Sequence, residues 1–232
     1  MDKQDTEMPF TRRLEVTADG SHTLYLPEMD EHYHSVNGAV QESRHVFIGA
    51  GFKQVAKQQV RVFEIGFGTG LNAFLTLLEA AVSGKEVTYY TVERYPLEEA
   101  LVRCLNYGAA VCPDSAAWFE ALHGAAWDRP VAVTPFFMLH KIKADSNTCV
   151  LPSAIDLVYF DAFAPDKQPE MWTPEIFCSL YRNTAPDGLL VTYCAKGAVR
   201  RMMQGAGYGV ERLPGPPGKR EMLRGRKGGG SF

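Results

Sequence analysis

The densest chemical signal in the sequence is Glu64-Ile65-Gly66-Phe67-Gly68-Thr69-Gly70-Leu71-Asn72, which closes the apolar run Val60–Ile65. Glycines let a backbone approach a ligand closely, and the first turn of a following helix offers free N–H groups. Strand, glycine loop and helix in that order therefore suit a nucleotide-like ligand. The spacing is GxGxG rather than the GxGxxG of dinucleotide sites, because position 70 is Gly and position 71 is Leu. Glu64 sets an acid beside the loop. That charge repels a pyrophosphate and favours the cationic sulfonium and amino group of S-adenosylmethionine (SAM). A purely structural glycine turn is the other reading of the same residues.

Further carboxylates fall where such a ligand needs them. Glu93 ends the run Val87–Glu93, at the distance along the chain where an acidic residue receives ribose hydroxyls; an exposed strand-end acid is the alternative. Asp145 reads either as an acceptor for an adenine amino group or as an ordinary loop aspartate, and Tyr33 reads as a residue that closes over the cofactor. A second motif, Asp161-Ala162-Phe163-Ala164-Pro165-Asp166-Lys167-Gln168-Pro169-Glu170-Met171-Trp172, follows the apolar run IDLVYF. Asp161 then lies at the carboxyl edge of a strand, beside the glycine loop. Methyl transfer is an in-line displacement in which the protein mainly positions the partners. An amine acceptor must first be neutral, and a carboxylate at this point binds the ammonium form, orients the lone pair and takes up the proton. Phe163 and Trp172 are read as pocket walls or stacking surfaces, with ordinary core as the competing reading for Trp172.

The elements that must position these residues are legible in outline. From residue 60 the chain alternates strand-like runs (60–65, 87–93, 155–160, 188–194) with helical stretches (71–81, from Pro96, 115–123, from Pro174, 197–205). Residues 131–142 read as strand broken at Pro135 by a hairpin or bend, and 208–213 with 221–224 as a final pair. Thr173-Pro174 supplies an N-cap and a first-turn proline. The alternation predicts an α/β fold with an open, mostly parallel sheet and helices on both faces, where ligands sit at the carboxyl ends of the strands. Before it, alternation around Asp19-Gly20 predicts a β-rich extension over 1–50, the main domain occupying 51–224 and a flexible basic, glycine-rich tail 225–232.

Composition removes other classes. The 232 residues carry 24 Lys+Arg against 27 Asp+Glu and are 46% hydrophobic, so disordered and fibrous chains are excluded and one full core is available. No apolar run approaches the length of a membrane span, and the charged N-terminus has no apolar stretch behind it, which predicts a cytoplasmic protein. The five cysteines form no CxxC and read as reduced thiols. The net charge of −3 hides an asymmetry. Residues 194–232 hold nine basic residues against Glu211 and Glu221, and this basic fifth on an acidic body predicts contact with an anionic partner. His22, His32, His34 and His45 lack ligand spacing, so no metal is expected.

The motifs GFGTGLN, DAFAPDKQPEMW and the late GKREML, together with YHSVNGAVQESRHVFI and AKGAVRRMMQGAGY, resemble the methyltransferase domain of the MnmC family over nearly the whole chain. The resemblance implies a class I SAM-dependent methyltransferase fold, Rossmann-like. It also implies methylation of the exocyclic amine of 5-aminomethyl(-2-thio)uridine at the tRNA wobble position. By the same resemblance Glu64, Gly66, Gly68, Gly70 and Asn72 form the SAM loop, Glu93 holds the ribose and Asp145 the adenine. Asp161 would stand next to the transferring methyl, and Phe163, Pro165 and Trp172 would line the acceptor pocket. Lys219, Arg220 and Glu221 match a KRE motif on the tRNA side, the two cations suiting phosphates. The two-domain form of the family carries a flavin oxidase. None is expected here, so no FAD is expected and other enzymes would supply the amine precursor. Lys196 stands where the family leads one to expect a small or hydroxyl residue. The competing readings are an aminopropyltransferase-like or methyltransferase enzyme acting on a small amine, and a non-catalytic RNA-binding subunit.

Overall fold

The computed structural model describes residues 10–229. Three short strands come first: β1 (Arg13–Val16), β2 (His22–Leu26) and β3 (Glu31–His32), a separate antiparallel sheet turning at Asp19-Gly20. Asp19 holds that turn by accepting from the Ser21 amide, and it reaches on to the Gln41 amide. The β-rich expectation for the extension holds only this far. Helix α1 (Ala39–Ser43) runs into a π-helical turn at Arg44–Gly49. Ala39, Val40, Ser43, Val46 and Phe47 are buried at three- and four-residue spacing, a helical period that the neighbouring polar residues disguise.

The main body follows as β4 (Gln59–Ile65), α2 (Leu71–Ser83), β5 (Glu86–Glu93), α3 (Glu99–Val102), α4 (Tyr107–Val111), α5 (Ala116–Gly124), β6 (Pro130–Thr134), β7 (Phe137–Lys143) and β8 (Ile155–Phe160). It closes with α6 (Pro174–Asn183), β9 (Thr184–Thr192), α7 (Gly197–Ala206), β10 (Gly209–Pro214) and β11 (Glu221–Arg226). One eight-stranded sheet has the order β10-β11-β9-β8-β4-β5-β7-β6. Its five central strands are parallel, and β6, β10 and β11 pair antiparallel at the edges. The winding direction reverses between β4 and β8, the point at which open α/β sheets leave a crevice for ligand.

Two apolar layers cover the sheet. One holds Phe74, Leu77, Tyr89 and Phe119 and takes in Leu24, Val46 and Phe47 of the extension; the other holds Phe63, Phe160, Trp172, Phe177, Val199 and Met203. Thr173 caps α6 as expected, its hydroxyl accepting from the Ile176 amide. The helix expected from Pro96 is much shorter, because Asn106 turns its side chain to the hairpin and bonds both the His22 amide and the Gly20 carbonyl. The expected tail over 225–232 does not hold for its first residues. Gly225 and Arg226 belong to β11, and Lys227 Nζ donates to the carbonyls of Tyr181 and Thr184; residues 230–232 lie outside the described residues.

Candidate active site

A cavity of about 370 Å³ opens at the carboxyl ends of β4, β5 and β8, within the size range of small-ligand sites. The glycine loop forms one wall. Gly66, Gly68 and Gly70 all have positive φ, and a side chain at Gly70 would collide with His123 Nε2 at 2.7 Å. Gly66 and Gly68 line the cavity, whereas Gly70 turns away from it and starts α2. Glu93 braces the loop from the end of β5: Oε2 accepts from the Gly68 amide at 3.0 Å and Oε1 from the Tyr95 amide at 2.8 Å. Its carboxylate is thereby fixed in orientation while still facing the cavity.

Asp161 and Asn72 meet on the opposite wall, where Asn72 Nδ2 donates to Asp161 Oδ2 at 2.7 Å. Burial raises the Asp161 carboxyl to about 7, with the charge of Glu42 acting in the same direction; the Asn72 hydrogen bond and Lys219 oppose the rise. An acid with that affinity for protons binds or releases one near neutral pH, as a general base must. Phe163 also lines the cavity and meets Tyr33 edge-on, ring centres 5.2 Å apart. Tyr33 lies against Gly68, and Arg12 Nε donates to its hydroxyl at 3.2 Å. The N-terminal hairpin thus supplies one side of the cavity. It is anchored there by His34 Nε2 against Thr69 Oγ1 at 2.7 Å, and burial pushes His34 down to about 4, leaving its ring neutral.

The remaining residues singled out from sequence lie at, beneath or away from the cavity. Asp145 reaches the cavity with both oxygens engaged, one by the Asn147 amide and side chain, the other by Arg94 at 2.9 Å. Glu64 and Trp172 lie beneath the walls and Pro165 outside them: Glu64 is 0% exposed, and Trp172 packs on Phe160 and donates from Nε1 to the Phe163 carbonyl at 2.8 Å. Lys219, Arg220 and Glu221 do not line the cavity. Lys219 turns inward, over the Tyr193 ring and onto Glu42 Oε1 at 2.6 Å; Glu221 pairs with Arg212, and Arg220 is exposed. Lys196 pairs with Asp166 on the surface. The four histidines serve four separate contacts, with Cys104, Glu15, Thr69 and Pro214. Sequence reasoning missed Arg12, Glu42 and Tyr95. Of these only Glu42 lay inside a segment already singled out, YHSVNGAVQESRHVFI.

Comparison with known proteins places the chain. Residues 136–228 match the family model described as S-adenosyl-L-methionine-dependent methyltransferase. The tRNA 5-methylaminomethyl-2-thiouridine biosynthesis bifunctional protein MnmC of Pseudomonas aeruginosa is 35% identical over 214 residues, 83% of this chain and 32% of that protein. The chain is similar to MnmC over most of its own length, and its C-terminal part matches a methyltransferase model. It spans about a third of the length of the curated relatives it matches. Among solved structures, MNMC2 from Aquifex aeolicus superposes with a TM-score of 0.77 at 23% identity, covering 96% of this chain and 73% of that one. A class I S-adenosylmethionine-dependent methyltransferase from Listeria monocytogenes superposes with a TM-score of 0.52 at 16% identity, covering 85% and 64%.

SAM is the cofactor of this family, and the cavity suits it on its own terms. The glycine cradle admits a close ligand, and Glu93 holds a carboxylate ready for paired hydroxyls. Glu93→Gln would turn one of those oxygens into an N–H₂ facing a backbone N–H. It is expected to weaken SAM binding about tenfold or more in calorimetry; unchanged affinity would remove Glu93 from the site.

Proposed function

We propose that the protein methylates the exocyclic amine of 5-aminomethyl(-2-thio)uridine at the wobble position of tRNA, in the cytoplasm. The observation that carries this reading is Asp161, held by Asn72 on the cavity wall with a proton affinity near neutrality. SAM, when bound, supplies an electrophilic methyl group. The chain's own work is then to hold the cofactor with the glycine loop, Glu93 and the Asp145–Asn147 turn, and to hold the acceptor near Phe163. Asp161 takes the ammonium proton of the acceptor and frees its lone pair. With SAM bound, the transfer would form the N–CH₃ bond of a secondary ammonium, the electron pair of the broken S–CH₃ bond staying on the sulfur, and the ammonium would then lose its extra proton to solvent.

The tRNA part of the reading draws on the relatives and on the exposed cations. Lys196, Arg212, Lys219 and Arg224 are engaged in ion pairs, and Arg226 and Lys227 bond backbone carbonyls. Among the described residues Arg200, Arg201 and Arg220 have no such partner, so the basic surplus that faces a polyanion is smaller than the composition suggests. Incubating the protein with SAM and tRNA that carries the unmethylated amine, then weighing the digested nucleosides, tests the reading. A gain of one methyl on the 5-aminomethyl nucleoside is expected. No gain, with SAM bound in the same sample, would overturn the acceptor and favour a small free amine.

A further inference from the structure

Glu64 has no place in the mechanism above, yet its surroundings are unusual. It lies in the middle of the sheet, opposite Thr91 of β5 and Tyr159 of β8, and is completely buried. Oε2 accepts from the Thr91 hydroxyl at 2.8 Å. Asn72 and Tyr89 flank the carboxyl. Three buried polar atoms in this cluster have no hydrogen-bond partner: Glu64 Oε1, Asn72 Oδ1 and Tyr89 Oη. The titratable groups facing Glu64 are Tyr89, Tyr159 and Asp161, and α2 contributes the neutral Asn72; no cation is among them.

A carboxylate in that setting would be a buried charge without a counter-ion, while its Oε1 and the neighbouring Asn72 Oδ1 both stay without a hydrogen bond. Two acceptors cannot bond each other. One of the two N–H groups of the Asn72 amide is spent on Asp161, and the other makes no hydrogen bond to Glu64 Oε1. We propose that Glu64 is a neutral positioning residue whose carboxylic O–H donates to Asn72 Oδ1 and thereby holds the amide with Nδ2 toward Asp161. Tyr89 then donates to Glu64, and all three orphaned atoms are satisfied. One amide between two acids needs one proton on the Oδ1 side. Glu64 keeps it because it has no cation near, whereas Asp161 feels Lys219 as well as Glu42. Losing the Glu64 proton makes the amide turn round to serve Glu64, which strips Asp161 of its hydrogen bond. Burial raises the Glu64 acid to about 8, so the loss falls in the alkaline range.

The proposal rests on the methyl-transfer reading, and wild-type turnover tests that reading separately. Glu64→Gln carries a permanent N–H donor in place of the O–H and is the conservative rescue; Glu64→Ala removes the donor. Wild-type kcat is expected to fall above pH 8, while Glu64→Gln stays level and exceeds the wild type about tenfold at pH 9. Glu64→Ala is expected to lose kcat about tenfold at pH 7 with little change in SAM affinity. In the cofactor-free wild type, infrared spectra at pH 7 should show a protonated-carboxyl band that Glu64→Gln lacks, a readout that needs no variant to be active. The idea is overturned if that band is absent. It is also overturned if Glu64→Gln weakens SAM binding as much as Glu64→Ala does, because Glu64 would then act as a charge on the cofactor.

Discussion

Asp161→Asn is expected to cut turnover by about two to three orders of magnitude while SAM affinity stays within a few-fold of wild type, since a positioned general base contributes roughly 10²–10⁴. The substitution keeps the shape of the side chain and an oxygen to accept from Asn72, so the wall persists. What is lost is the site for the proton. The pH profile separates this loss from misfolding. Asp161 works only as the carboxylate, and its acid sits near 7, so kcat/KM of the wild type should fall about tenfold per unit as pH drops below that value. The residual activity of Asp161→Asn should lack this acid limb. Full turnover with normal SAM binding would remove Asp161 from the chemistry.

Trp172→Ala is expected to destabilise the protein by about 3–5 kcal/mol, as deletion of a buried large aromatic does. For a chain of this size that is a fall in Tm of roughly 6–20 °C. Trp172 is 6% exposed and packs on Phe160 and Phe177, with ring centres 4.6 and 6.4 Å away. Its Nε1 donates to the Phe163 carbonyl, so it holds the loop that carries Phe163 by hydrogen bond as well as by volume. Trp172→Phe keeps part of the volume and loses the bond. It should recover most of the stability and leave the acceptor KM raised. If Trp172 were a wall of the cavity, Trp172→Ala would raise KM and leave Tm unchanged.

The parts of this protein written locally were readable from the sequence. Strand, glycine loop and helix at 59–83 follow from three adjacent patterns, and the positive φ at Gly66, Gly68 and Gly70 is what those glycines exist to permit. The strand IDLVYF had to be buried on both faces, so Asp161 after it had to fall at the carboxyl edge. Thr173-Pro174 announced its helix for the same local reason.

What only the tertiary structure decided concerns side chains that meet across the fold. Glu64 and Asp161 are both acids at strand ends, yet one is sealed under the loop and the other faces the cavity. The difference comes from the turn of the chain after each strand and from which helix covers it. Lys219 reads as a phosphate-seeking cation until Glu42, 177 residues away along the chain, is found beside it. Charge counted along the sequence overstates the basic surface for that reason, because ion pairs form between neighbours in space. The helix at 39–49 was hidden because polar residues interrupt its apolar stripe, and its amphipathic face is defined only by the sheet it packs on. Sequence determined the backbone frame and the kinds of groups at the cavity; folding decided which of them touch.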